Sequence, residues 1–126
     1  MASNPVGWFE IYVDDMQRAK AFYETVLQVS LEPLGDPTNE SFEMQAFPSD
    51  MGQYGCSGAL VHCEGFPAGN NSTLVYFACE DCAVEEARVA EAGGRVQRNK
   101  MSIGDYGFIS LAFDTEGNMF GLHSQN

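Results

Sequence analysis

Residues 8–27, WFEIYVDDMQRAKAFYETVL, change their hydrophobic period halfway along. Phe9, Ile11 and Val13 alternate with Trp8, Glu10 and Tyr12, the period of two that marks a strand with one face on a core. At Asp14 and Asp15 the period lengthens. Met16, Ala19, Phe22, Tyr23, Val26 and Leu27 then fall on one helical stripe. Asp15, whose short carboxylate reaches the first free backbone N–H groups, is the expected N-cap. A strand thus feeds straight into an amphipathic helix. The strand's second face carries a carboxylate between two aromatic rings, an unusual pattern for a face that simply meets water.

Outward from this stretch, Gln28–Ser41 reads as a loop around Pro33, Gly35 and Pro37, with a short strand near Val29–Glu32. Ser41–Phe47 alternates, Phe42, Met44 and Ala46 against Glu43 and Gln45, and is expected to be a half-buried strand. Pro48–Gly58 is a polar, Gly-rich loop with Met51 and Tyr54; Gly58–Cys63 is a short apolar strand; Glu64–Ser72 is the best linker candidate. Thr73–Cys79 is a strand, and Cys82–Ala92 is a helix stopped by Gly93 and Gly94. A strand near Arg95–Gln97, a loop through Gly104, a strand Gly107–Phe113, the turn Asp114–Gly117 and a last strand Asn118–His123 complete the chain.

The halves repeat. Val13-Asp14-Asp15-Met16 falls on Cys79-Glu80-Asp81-Cys82, an offset of 66 residues (79 minus 13), and the same offset sets Phe42 on Phe108 and Phe47 on Phe113. Each half reads β-α-β-β-β. One domain, residues 1–126, is expected, built of module 1 (1–63), a linker (64–72) and module 2 (73–126). In each module a helix covers one face of a four-stranded sheet. Two such sheets side by side make an α+β fold, an eight-stranded cupped mixed sheet with its helices outside, and the open cup suits a small ligand.

Six Lys plus Arg against 18 Asp plus Glu give a net charge of −12, which repels phosphate backbones and anionic lipid and excludes nucleic-acid and membrane partners from the expectation. No apolar run approaches the roughly 20 residues that span a bilayer. MASNPVG has neither the basic nor the apolar region of a secretory signal, so a cytoplasmic protein is expected, and the sequons at Asn39, Asn70 and Asn71 are read as loop polarity. In a reducing cytosol Cys56, Cys63, Cys79 and Cys82 stay free. Cys79-Glu-Asp-Cys82 has metal-pair spacing but no second pair to match it, so both thiols are read as small buried residues.

The tandem repeat, the strand–Asp-Asp–helix of WFEIYVDDMQRAKAFY, the Ala92–Gly94 turn and the ending GFISLAFDTEGNMFGLHS resemble the vicinal oxygen chelate superfamily, the glyoxalase I, bleomycin-resistance and extradiol-dioxygenase group. The resemblance spans nearly the whole chain. It implies small glyoxalase-like proteins, a homodimer, and, in metal-dependent members, four His, Glu or Gln ligands on cup-facing strand positions. Carried over residue by residue, three of those positions fall on Trp8, Leu74 and Gly121, and the fourth falls near Val61 or His62. Trp, Leu and Gly supply no ligand, so no cofactor is expected; a divalent ion at a relocated site would have to draw on His62 and His123. Gln28 also departs from the helix-ending Gly common among relatives.

Strand parity then places Trp8, Glu10, Tyr12, Leu74, Tyr76, Ala78, Met119, Gly121 and His123 on the cup, with His62 beside them, and sends Phe9, Ile11, Val13, Val75, Phe77, Phe120 and Leu122 toward the helices. The expected ligand-binding set is Trp8, Tyr12, His62, Leu74, Tyr76, Met119, Gly121 and His123, suited to a small aromatic or planar molecule. Glu10, desolvated between Trp8 and Tyr12, is the candidate general base of the alternative, a lyase or isomerase acting on a small carbonyl compound. Whether the chain is an enzyme stays open at this point. Glu43 and Gln45 fit either the cup or a solvated face; Tyr54, Met51 and Tyr106 are lid candidates. His123 is expected on a solvated edge strand. Ser57 and Ser110 have no base partner, which argues against nucleophilic catalysis.

Overall fold

The computed structural model describes residues 6–34, 42–50 and 52–126; Gly35, Pro37, Asn39, Ser41 and Met51 lie outside them. The elements run β1 (Phe9–Tyr12), α1 (Met16–Leu27), β2 (Glu32–Leu34), β3 (Phe42–Ala46), β4 (Gly58–Cys63), β5 (Tyr76–Ala78), α2 (Cys82–Val89), β6 (Arg95–Ser102), a 3-10 turn (Gly104–Tyr106), β7 (Phe108–Phe113) and β8 (Met119–Ser124). The eight strands divide into two four-stranded mixed sheets of identical order, β1-β4-β3-β2 and β5-β8-β7-β6. The first strand of each half pairs parallel with the fourth, and the other pairings are antiparallel. The repeat read from the sequence is therefore a repeat of topology. The two sheets meet at their edge strands through side chains, with the rings of Phe9 and Phe77 5.9 Å apart.

Local chemistry explains the element ends. Asp15 caps α1 by accepting from Arg18 N at 3.1 Å, and Asp81 caps α2 by accepting from Ala83 N at 3.0 Å. Gln28 takes the left-handed conformation (φ 55°) that usually falls to Gly at a helix end, and its own Nε2 donates to Thr25 O at 2.7 Å, offsetting part of that cost. β2 starts three residues later than expected. Leu31 is drawn into the core, its N–H donating to Glu24 Oε2 at 2.8 Å, and Pro33 is tolerated because β2 is an edge strand. β6 runs five residues beyond Gln97. Its polar sequence, RVQRNKMS, conceals the strand's full length because it forms the opposite edge, where charge guards against stray pairing, and its register shifts twice along β7. α2 ends at Val89, with a turn carrying the chain to Gly94. Among the described residues no helix is long and apolar enough to cross a membrane.

The core lies between helices and sheets and spans both halves. Phe22, Tyr23 and Phe120 are buried at its centre, with Phe47 and Phe77 packed around Tyr23 at centroid distances of 5.7 and 5.8 Å. Behind it the turn after β7 ties the halves together. Tyr23 OH donates to Asp114 Oδ2 at 2.6 Å, and Asp114 Oδ1 accepts from the backbone N–H of Glu116 and Asn118. Burial raises the Asp114 carboxyl above its ordinary range against these donors. Glu116 reaches back across the chain: Oε1 accepts from Asp14 N (3.0 Å), Asp15 N (2.8 Å) and Arg18 Nη2 (3.0 Å), while Oε2 accepts from Arg18 Nε (2.6 Å) and Thr115 Oγ1 (2.9 Å).

Candidate ligand-binding site

β1 can turn Phe9 and Ile11 into the core only by turning Trp8, Glu10 and Tyr12 the other way. β5 and β8 do the same: Phe77, Phe120 and Leu122 join the core, and Tyr76, Met119 and His123 look outward. Because β1 and β5 are the neighbouring edges of the two sheets, these outward faces meet over one cavity of about 1280 Å³. Its walls include Trp8, Glu10, Tyr12, Leu74, Tyr76, Ala78, Met119 and His123. Two loops close the sides. One brings Tyr54 and Cys56; the other, Gly65–Pro67, brings Phe66, whose ring lies 5.8 Å from that of Tyr12. Phe66 was hidden in the sequence by its setting, a Gly-, Pro- and Asn-rich stretch that reads as a connector.

Two expected site residues stand elsewhere. His62 is on the opposite face of β4, with Nδ1 3.1 Å from Val13 O, and takes no part in the cavity. The reason is register: β4 runs parallel to β1 with Ala59 beside Glu10 and Val61 beside Tyr12, so Ala59 and Val61 share the cup face and His62 cannot. Gly121 is on the cup face but covered. The Tyr76 ring lies directly over it, and a Cβ there would come within 2.3 Å of Cδ2. Gln45 likewise points to the core side with Leu60, buried to 7% exposure, while Glu43 is exposed. Val75 is half-buried. Tyr54 borders the cavity at 88% exposure.

The polar groups in the cup are few and held. Glu10 is exposed rather than desolvated, since the cup is open on that side, and its two oxygens are separately engaged: Trp8 Nε1 donates to Oε2 at 3.3 Å and Tyr12 OH to Oε1 at 3.0 Å. Burial, and then Glu10 itself, raise the Tyr12 phenol above its ordinary range, so that hydroxyl remains a donor. His123 is on β8, inside the sheet between β5 and β7 rather than at an edge. Its Nε2 is 2.7 Å from Tyr106 O, and since a carbonyl only accepts, Nε2 carries a proton, which leaves Nδ1 as the acceptor of the neutral ring. Among the described residues lining the cavity, Glu10 is the one carboxylate, and neither Lys nor Arg appears. Burial, reinforced by Glu85, pushes the Cys79 thiol up to about 12, and Cys82 is buried.

The resemblance carries the divalent ion's ligands in metal-dependent members onto Trp8, Leu74, Gly121 and the neighbourhood of His62. The Trp8 indole N–H is committed to Glu10, Leu74 has no lone pair, Gly121 lies under Tyr76, and His62 faces away. Among the described residues no three His, Cys, Asp or Glu side chains come together as an ion site.

A family model described as the Glyoxalase/Bleomycin resistance protein/Dioxygenase superfamily matches residues 6–122. The chain belongs to this superfamily. Within it, CFP32 of Mycobacterium tuberculosis, a protein provisionally assigned as a glyoxylase, is 27% identical over 116 residues, covering 91% of this chain and 42% of that protein. The chain thus spans less than half the length of the curated relatives it matches. Glyoxalase I from Zea mays superposes with a TM-score of 0.73 at 19% identity, covering 93% of this chain and 43% of the maize one. TnmS3, an antibiotic binding protein from Streptomyces sp. CB03234, superposes at 0.66 with 23% identity, covering 100% and 99% of the two chains. At these identities the superpositions establish the shared superfamily fold.

Proposed function

We propose that the protein holds a small planar or aromatic molecule in the cup between β1 and β5–β8, without the superfamily's divalent ion. One observation carries this reading: the cup is walled by the rings of Trp8, Tyr12, Tyr76 and Phe66, and the positions onto which the resemblance carries the metal ligands hold Trp8, Leu74 and Gly121. A cavity of about 1280 Å³ accommodates a polycyclic ligand, and such walls hold it by stacking and apolar burial. TnmS3, an antibiotic binding protein, shares the fold along the chain, so the fold is compatible with a binder. The reading extends to a cytoplasmic homodimer, in which a second copy covers the open rim where Trp8 is 44% and Tyr76 45% exposed.

The test is equilibrium dialysis of planar aromatic compounds against the metal-free protein, with Trp8→Ala and Tyr76→Ala variants. Binding at micromolar concentration that weakens about tenfold or more in each variant is expected, the loss of one stacking wall. Binding that tolerates both replacements would sink the reading. A second reading has Glu10, fixed by Trp8 and Tyr12, as general base toward a small carbonyl substrate. Turnover of an α-oxo aldehyde that disappears in Glu10→Gln would favour it; unchanged background rates would exclude it.

A further inference from the structure

The charge on the cup wall narrows the ligand class. This step rests on the reading of the cup as the binding site. Glu10 is set between Trp8 and Tyr12 on one strand face, and each neighbour donates a single hydrogen bond to a different oxygen. A carboxylate has about four acceptor sites, so roughly two remain after these contacts. The donors also hold the group in one orientation, on the cavity side of β1. No Lys or Arg among the described lining residues neutralises it. Around it stand electron-rich ring faces, and the imidazole on the wall, His123, directs Nε2–H to Tyr106 O, so that in the neutral ring its other nitrogen accepts rather than donates. An anion entering this cup would meet a carboxylate and find no cationic partner. A neutral ring would leave the remaining carboxylate sites without a donor. A protonated nitrogen answers both conditions, donating to Glu10 while its charge lies against aromatic rings.

We infer that the ligand is an organic cation: a planar aromatic molecule bearing a protonated or permanently charged nitrogen, seated on Glu10 between Trp8 and Tyr12. Trp8 and Tyr12 act here as positioning residues for the carboxylate as well as walls, which separates this arrangement from simple attraction by an acidic surface.

Three probes on the same tricyclic frame but of different charge decide it: 9-aminoacridine (cation), acridine (neutral) and anthracene-9-carboxylate (anion). Equilibrium dialysis against the full chain is run with the native protein, Glu10→Gln, and Glu91→Gln, which removes an exposed charge after α2 and away from the cavity. The cation is expected to bind about tenfold or more tightly than the other two, a preference abolished in Glu10→Gln and kept in Glu91→Gln. Equal binding of all three would overturn the inference while leaving the aromatic cup standing. A cation preference that survives Glu10→Gln, or falls as much in Glu91→Gln, would also overturn it, since net charge alone would then account for the attraction. No binding by any probe would overturn the inference together with the reading of the cup on which it rests.

Discussion

Replacing Glu116 with Gln strips one charge from the corner where α1 begins while keeping nearly the same shape. The amide retains one oxygen for the backbone N–H groups of Asp14 and Asp15 but turns an NH2 toward the Arg18 guanidinium, donor against donor. Burial alone would raise the Glu116 carboxyl. The donors from Arg18, Asp15, Thr115 and Asp14 outweigh it and hold the group at about 2 against an ordinary 4.5. A carboxylate with a depressed folded value stabilises the native state above its unfolded value and loses that contribution as pH falls toward the folded one. At about 1.36 kcal/mol per unit, the full contribution is about 3 kcal/mol, of which about 2 kcal/mol is gone by pH 3. Because Arg18 is 52% exposed and its attraction is screened, this is an upper figure. The assay is urea unfolding followed by the fluorescence of Trp8, the sole tryptophan, from pH 7 to pH 3, for native protein and Glu116→Gln. The stability difference between the two should be largest at neutral pH and shrink by about 2 kcal/mol by pH 3. A difference that stays constant across the range would show that the charge contributes nothing and would refute the reasoning.

Tyr23→Phe keeps the ring in its aromatic cage and removes the hydroxyl donated to Asp114. Leaving a buried carboxylate oxygen short of a donor should cost about 1–3 kcal/mol, read as a lower urea midpoint with unchanged slope; a loss under about 0.5 kcal/mol would mean that solvent reaches Asp114. The cysteines should separate by reactivity toward a chromogenic disulfide at pH 8. Cys56, exposed on its loop, reacts quickly, whereas Cys79, held near 12, stays almost unlabelled until the protein is denatured; rapid native labelling of Cys79 would contradict its burial.

Local signals in the sequence translated well into structure. The α1 boundaries followed from one capping carboxylate and one hydrophobic stripe, and the cup face of β1 followed from parity, because both are set within a few residues. His62 shows where parity fails. A strand's alternation says which residues share a face, but only the register against β1 says which face that is. Only the start of β6 was legible, near Arg95–Gln97; its polar remainder, on an edge strand, has no hydrophobic alternation to display. Glu116 was read only as part of a turn. Its partners Asp14, Asp15 and Arg18 lie about a hundred positions earlier, beyond the reach of any spacing argument.

The clasp formed by Asp114 and Glu116 also bears on the order in which the chain can fold. Emerging from the ribosome, the first half has an N-terminal end of α1 with two unanswered backbone N–H groups and a Tyr23 hydroxyl facing an apolar core; their acceptors are made only after residue 113. Phe22 and Tyr23 await Phe77 and Phe120 in the same way. Contacts of such long sequence separation are costly to close and form late. A chain cut after Phe113 should accordingly show no cooperative unfolding transition. The first half must wait for this turn, so a nascent chain leaves a cluster of aromatic side chains uncovered until residues 114–120 have been made.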